Sequence, residues 1–486
     1  MTDRNSGQAL PDHAAAGLPH AGDRTSAVGL LDTPAAEPEH WSSRAVFYHI
    51  YPLGLTGSPA RNDFGAPPVD RLDQLTGWLG HIKSLGCNTL YVGPLFESTA
   101  HGYDTADYWH LDRRLGTDGT LRRLVDACHG AGLRVVLDGV FNHVGRDFWA
   151  FRDVLANGEG SAYRGWFAGL DFAGRSPYGD PFTYEAWSGC FDLVKLDLSN
   201  AGVREHLFGA VSSWIRDFDI DGLRLDAADV IDIGFQRDLA AMCRSLKSDF
   251  WLFGEVVAGD YRHWAGIGAL DSVTNYEAYK GLWSSLVDRN YFEIAWSLNR
   301  QFGPDGLYRG MPLYNFADNH DSDRVASKLG DNRLLYPLYL LLFTMPGVPS
   351  IYYGSEWGMR AVRAKDDDSP LRPAIASPDG NGPPAEPALA GVIERFAAVR
   401  AGSAALRQGV YRQLSVASEQ FAFGRTEGCE EVVVMLNSAD KAVEMAVPAP
   451  RDGEWRDMLN GDTVTASDGT LRAKVYSDWG KVLRAE

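Results

Sequence analysis

Eight short apolar runs, seven of them followed by a stretch whose apolar residues recur at helical spacing, succeed one another between Ala45 and Val399. That alternation constrains the fold more than any other feature. Parallel strands cannot be joined by a tight turn and need a crossover, which a helix fills. The runs are AVFYHIYPLG, TLYVGPLF, LRVVLDGVF, GLRLD, WLFGEV, SVTNYE, LYNFA and PSIYYG. From Arg71 to Leu85, Leu72, Leu75, Leu79, Ile82 and Leu85 are spaced by three and four, which predicts a helix. Further helices are predicted over 120–129, 203–218, 235–246, 294–299, 334–343 and 389–399. Eight such runs favour closure into a (β/α)8 TIM barrel over an open sheet.

Two segments depart from the alternation. Residues 145–200 are rich in Gly and aromatics and weakly periodic; a loop of that size predicts a small subdomain inserted after the third strand. It divides the barrel into 41–144 and 201–402. Beyond Gly402, runs such as QFAFGRT, EVVVMLNS and KAVEMAVP alternate polar and apolar residues between turn formers. Residues 403–486 therefore read as a C-terminal all-β sandwich. Residues 1–40 lack hydrophobic periodicity and read as a disordered N-terminal extension.

Four of the apolar runs end in ionisable or amide side chains: DGVFNH (138–143), DGLRLDAAD (221–229), FGEVV (253–257) and FADNHD (316–321). A buried strand has no packing reason to finish on Asp, Glu or His-Asp. In a parallel barrel all strand C-termini share one face, so these ends meet in one cleft. A lone Asp at such a place is more often a turn former or cap, but several in one cleft are not. Asp226, Glu255 and Asp321 are what glycosidic cleavage requires. One carboxyl protonates the leaving oxygen and another attacks or stabilises the anomeric carbon, about 5–5.5 Å apart where configuration is retained. Arg224, two residues before Asp226, points to the same side of its strand and would keep Asp226 ionised. The apolar neighbours of Glu255 in FGEVV suit a proton donor.

Composition narrows the partners. With Lys+Arg 46 against Asp+Glu 64 the net charge is −18, which repels phosphate backbones and anionic membranes and suits a neutral substrate. No run reaches the ~18 apolar residues of a membrane span, and no secretory signal is visible. The 5 Cys are scattered without metal-ligand spacing, as in a cytoplasmic protein.

Taken in order, these motifs resemble those of the α-amylase family of retaining glycoside hydrolases, over Trp41 to the C-terminus. The resemblance implies Asp226 as nucleophile, Glu255 as acid/base and Asp321 as transition-state stabiliser. It implies His143 and His320 as sugar-hydroxyl ligands, Arg224 as partner of Asp226, and Asp138 and Asn142 as supports. HGYDTADY (101–108) supplies Tyr103 as a platform beneath the sugar, with Asp104 beside it, and GVPSIYYGSE (347–356) is similar to the eighth strand.

VKLDL (194–198) is similar to the Lys-containing segment of cyclomaltodextrinases and neopullulanases. Lys195 would set an ammonium near the calcium position of other amylases, so no metal and no cofactor is expected. The N-terminal β-domain that this group uses to dimerise is not evident, which leaves a homodimer open. Val257 stands where the group often has an aromatic, and Asp318 and Asn319 replace small residues. The implied substrates are short or cyclic maltooligosaccharides, cyclic maltosyl-maltose among them, and chiefly α-1,4 bonds. A glucanotransferase would use the same residues. Trp187, Tyr184 and Trp357 are weaker candidates for substrate contact.

Overall fold

Parallel pairing organises the chain between Phe47 and Tyr352. The computed structural model describes residues 40–266, 268–365, 367–379 and 384–486, so all of the expected N-terminal extension except His40 lies outside the described residues. Eight strands, β1 (Phe47–Ile50), β2 (Thr89–Val92), β3 (Arg134–Gly139), β4 (Gly222–Leu225), β5 (Trp251–Gly254), β6 (Ser272–Val273), β7 (Tyr314–Phe316) and β8 (Val348–Tyr352), pair in the order β7-β8-β1-β2-β3-β4-β5-β6. Every pairing is parallel. A parallel bridge between Thr274 and Tyr314 joins β6 to β7 and closes the ring.

The two-residue period of a strand sorts side chains between the inside of the ring and the helices around it. Phe47, Tyr91, Val136, Trp251, Phe253, Tyr314 and Phe316 fill the inside, with Phe253 and Tyr314 stacked at 4.5 Å. The alternate residues Tyr48, Leu90, Val135, Leu223 and Leu252 pack outward in the main core. Arg224, between Leu223 and Leu225, therefore points inward, in register with Asp138 on β3 and Phe253 on β5.

Two elements differ from their sequence reading. The stretch after Asp70 begins as a 3-10 helix, Arg71–Trp78, and turns α-helical only at Leu79–Ser84. Leu72, Leu75 and Trp78 are its buried residues, and spacing by three fits three residues per turn. In SVTNYE the strand stops at Val273, because the Asn275 side chain accepts from Ala278 N and caps a helix, Tyr276–Val287.

Between β3 and β4, His143–Gly145, Ala186–Trp187 and Cys190–Lys195 form a three-stranded antiparallel sheet. It packs with the helix Trp149–Asn157 through Phe151, Phe167, Phe182 and Tyr184. Gly145 is required there: a Cβ would stand 2.4 Å from the Asp104 carbonyl oxygen.

The C-terminal strands, β9 (Val410–Val416), β10 (Gln420–Glu427), β11 (Glu430–Asn437), β12 (Val443–Pro448), β13 (Gly453–Asp457), β14 (Thr463–Ser467), β15 (Thr470–Val475) and β16 (Trp479–Ala485), are all antiparallel. They form one hydrogen-bonded series, β9-β10-β11-β16-β13-β14-β15-β12, over a core that includes Met435, Trp455, Leu471 and Leu483. Arg425 ties this domain to the barrel by donating to the Thr344 carbonyl at 2.7 Å. Among the described residues, no helix is long and apolar enough to cross a membrane.

Candidate active site

The strand C-termini of the barrel open into a cleft of about 1100 Å³. Its floor is organised by one buried guanidinium. Arg224 donates from Nη1 to both oxygens of Asp138 at 3.0 Å and to Asp226 Oδ1 at 2.8 Å. Its Nη2 lies 2.8 Å from Glu255 Oε2. Adjacent strands and inward register thus bring the carboxylates of β3, β4 and β5 onto a single cation.

Tyr103 lies over this group. Its hydroxyl donates to Asp138 Oδ2 at 3.1 Å and bonds His320 Nε2. His320 in turn lies 3.0 Å from Asp321 Oδ2. Asp321 also accepts from Arg372 Nη2 at 2.8 Å. His143 is buried, with Asn142 Nδ2 3.2 Å from its Nδ1. His143 Nε2 makes no hydrogen bond among the described residues, nor does His320 Nδ1. Both are buried polar atoms of the sort that a ligand hydroxyl satisfies.

Burial and charge set the protonation of these groups. Burial pushes Asp226 well above the usual carboxylate range; Arg224 opposes this, while Glu255, Asp138 and Asp321 add to it. Arg224 thus acts on Asp226 as expected, toward the ionised form, but against burial and three nearby carboxylates that favour the protonated one. For Asp321 burial works upward too, but His320, Arg372 and Arg224 overcome it and hold the group well below the usual range. Burial, with His101 nearby, lowers His143 to about 3, so the ring is neutral. The apolar surroundings expected for Glu255 are corrected. Besides Arg224, it accepts from Ala227 N at 3.2 Å and from Tyr276 Oη at 3.4 Å.

The expected residues divide by position. Tyr103, His143, Asp226, Glu255 and Asp321 line the cleft, whereas Arg224, Asp138, Asn142 and His320 are buried around it. Asp104 is turned into its own loop, where it accepts from His101 N at 3.1 Å. Trp187 lines the cleft, its ring 5.7 Å from that of His143. Tyr184 is buried in the inserted segment, and Trp357 packs 5.0 Å from His81, outside the cleft lining.

A family model described as the catalytic domain of alpha amylase matches residues 70–381, and one for the alpha-amylase C-terminal all-beta domain matches residues 414–480. The chain belongs to the α-amylase family. It is 31% identical over 454 residues to a cyclomaltodextrinase of Geobacillus thermopakistaniensis, covering 89% of this chain and 75% of that protein. It is 31% identical over 471 residues to neopullulanase 2 of Thermoactinomyces vulgaris, covering 91% and 78%. Among solved structures, it superposes on the cyclic α-maltosyl-(1→6)-maltose hydrolase of Arthrobacter globiformis with a TM-score of 0.76 and 28% identity, covering 92% of this chain and 99% of that one. The chain is thus an α-amylase family glycoside hydrolase.

Sequence reasoning missed several members of this amylase cleft. Arg372 is the main one: besides Asp321 it bonds Asp368 at 3.0 Å and the His320 carbonyl at 3.0 Å, and it lies 4.6 Å over the Tyr51 ring. The one signal was an Asp-to-Arg spacing of four, which also fits a surface helix pair. Tyr276 was hidden because its stretch read as strand; its hydroxyl links Asn319 Nδ2, at 3.1 Å, to Glu255. Asp318 is structural, accepting from Ser355 Oγ at 2.8 Å and Val325 N at 2.8 Å.

Proposed function

We propose that this enzyme hydrolyses α-glucosidic bonds, mainly α-1,4, in short or cyclic maltooligosaccharides with retention of configuration. The observation that carries the reading is the bridging of Asp226 and Glu255 by the two Nη nitrogens of Arg224, with Asp321 in the same cleft. The reaction starts from the state in which Glu255 carries a proton and Asp226 does not. Glu255 donates that proton to the leaving glycosidic oxygen while Asp226 attacks the anomeric carbon. A glycosyl ester of Asp226 results. Glu255 then takes a proton from water, whose oxygen attacks the same carbon and frees Asp226. Asp321, held anionic by His320 and Arg372, stabilises the positive charge that develops on the sugar ring. His143 Nε2 and His320 Nδ1 take sugar hydroxyls, and Tyr103 supports the ring.

The substrate class is supported by the names of the relatives, a cyclomaltodextrinase and a neopullulanase, and by the cyclic maltosyl-maltose hydrolase fold. An aromatic wall at Trp187 suits a sugar face, and the net charge of −18 suits a neutral ligand. The test is a time course on soluble starch, maltotriose, β-cyclodextrin, pullulan and cyclic maltosyl-maltose, with the product anomer read by NMR. Fast ring opening with α-anomeric product supports the reading. A β-anomer, or chains longer than the input, would replace it.

We propose further that calcium is not held beside Asn142. The donor set does not fit it: Asn142 turns its amide nitrogen to His143, and the Lys195 ammonium pairs with Glu185 Oε2 at 2.9 Å. A hard cation wants oxygen ligands there. A cytoplasmic location is supported by five free cysteines, two of them exposed, and by a 29% identical Bacillus subtilis relative named an intracellular maltogenic amylase.

A further inference from the structure

We propose that a second site for α-glucan lies on a platform formed by Trp109 and Trp149, whose rings both lie against His206 of the helix Ala201–Phe218. It rests on the reading of the substrate as α-glucan and adds a place where a chain is held away from the catalytic centre. The helix Ala201–Phe218 carries Gly202, His206 and Gly209, spaced four and three apart and so on one face. Gly209 lies in the helix interior, where glycine is unfavourable, and both glycines make room for an indole. A Cβ at Gly209 would stand 3.2 Å from Trp109 Cη2 and Cζ2; one at Gly202 would stand 3.1 Å from Trp166 Nε1. The helix is cut down where two tryptophans rest on it.

His206 sits between them, its ring 6.0 Å from Trp109, 5.7 Å from Trp166 and 5.5 Å from Trp149. Trp149 is held edge-on by Trp166 at 5.4 Å and Tyr163 at 4.8 Å. The Trp109 indole donates from Nε1 to His206 Nδ1 at 3.5 Å, and its backbone N–H donates to Asp107 Oδ1 at 2.8 Å. Despite these contacts, Trp109 and Trp149 remain 40% and 38% exposed. The catalytic cleft is lined by neither.

Rigid, exposed indoles are pre-organised for a ligand with flat apolar faces, because ordering them costs nothing on binding. A glucan presents such faces on its pyranose rings, and the Asp107 carboxylate, which accepts from the Trp109 backbone, is a polar group beside them. A second copy, or any anionic surface, is disfavoured by the net charge of −18, which a neutral glucan does not feel.

The test is electrophoresis of the full chain in native gels containing soluble starch, in a Glu255→Gln background so that the gel is not digested. Adding Trp109→Ala and Trp149→Ala should weaken retardation about tenfold. With Glu255 intact, the same pair should leave kcat/KM on maltotriose unchanged. Undiminished retardation in the double variant overturns the proposal. So does a dimer of the parent protein, seen by light scattering, that the double variant splits. If the alanine pair loses maltotriose turnover as well, Trp109→Phe with Trp149→Phe decides: restored turnover with retardation supports the platform, and restored turnover without it overturns it. Failure of the parent enzyme to cleave any α-glucan would instead remove the underlying reading of function.

Discussion

Arg372 donates from Nη2 to Asp321 Oδ1 across 2.8 Å, although the two are 51 residues apart in the chain. The same guanidinium holds the His320 carbonyl and Asp368, so it fixes both the charge and the orientation of Asp321. Arg372→Ala should lower kcat/KM about 100-fold, mostly in kcat, because a misplaced catalytic group costs about that much. Arg372→Lys should not restore it, since an ammonium lacks the planar fork that meets three acceptors at once. Steady-state kinetics on β-cyclodextrin would show this, and a change confined to KM would restrict Arg372 to substrate binding.

Asp226→Asn and Glu255→Gln should each cut turnover by about 10² to 10⁴ or more. Neither should unfold the protein. Burial disfavours the Asp226 carboxylate, and Arg224 keeps Asp138 and Glu255 as partners when it is replaced. The melting temperature of Asp226→Asn is therefore expected to equal or exceed that of the parent. Near-normal rates in either variant would remove the mechanism.

Two buried histidines should each make stability fall as pH drops below about 6.5, against an opposite contribution from Asp226, whose raised value lets the fold bind a proton that the unfolded chain does not. Burial lowers His143 to about 3 and holds His49 well below its usual value. Both are neutral in the fold and protonated in the unfolded chain once pH drops below the ordinary histidine value. The unfolded chain then binds more protons, so the stabilisation is complete above pH 6.5 and lost progressively below it. Each proton contributes about 1.4 kcal/mol per pH unit. Urea unfolding between pH 6.5 and 5 should show that His143→Asn changes the slope by about one proton's share. A slope unaltered by that variant would mean that His143 is protonated in the fold.

Calcium should neither bind tightly nor stabilise. Chelator and added Ca²⁺ should leave the melting temperature unchanged, and calorimetric titration should show no stoichiometric binding. Tight binding would mean that Asn142 turns its carbonyl oxygen toward the ion and that the Lys195–Glu185 pair opens.

The barrel was legible because its period is local. Strand runs and helix faces such as Val203–Phe218 follow from spacing alone, and the structure gives Ala201–Phe218. Local spacing failed where one side chain redirected the backbone, as Asn275 does by capping a helix in a stretch that read as strand. Asp226, Glu255 and Asp321 were legible because a carboxylate ending an apolar run conflicts with packing. Arg372 was not, because an Arg in a polar loop conflicts with nothing. Trp187 could not be told from a packing tryptophan until the hairpin of the inserted segment placed it on the cleft.

What the sequence by itself determined was the list of acids and the side of the scaffold on which they stand, since strand direction and two-residue alternation are properties of consecutive residues. What only the tertiary structure decided was their electrostatics. Whether Asp226 is charged depends on how much water is excluded and on Arg224, Asp138, Glu255 and Asp321, which arrive from four strand ends. Coulomb energies depend on distance and surroundings, and neither is written in the order of the residues.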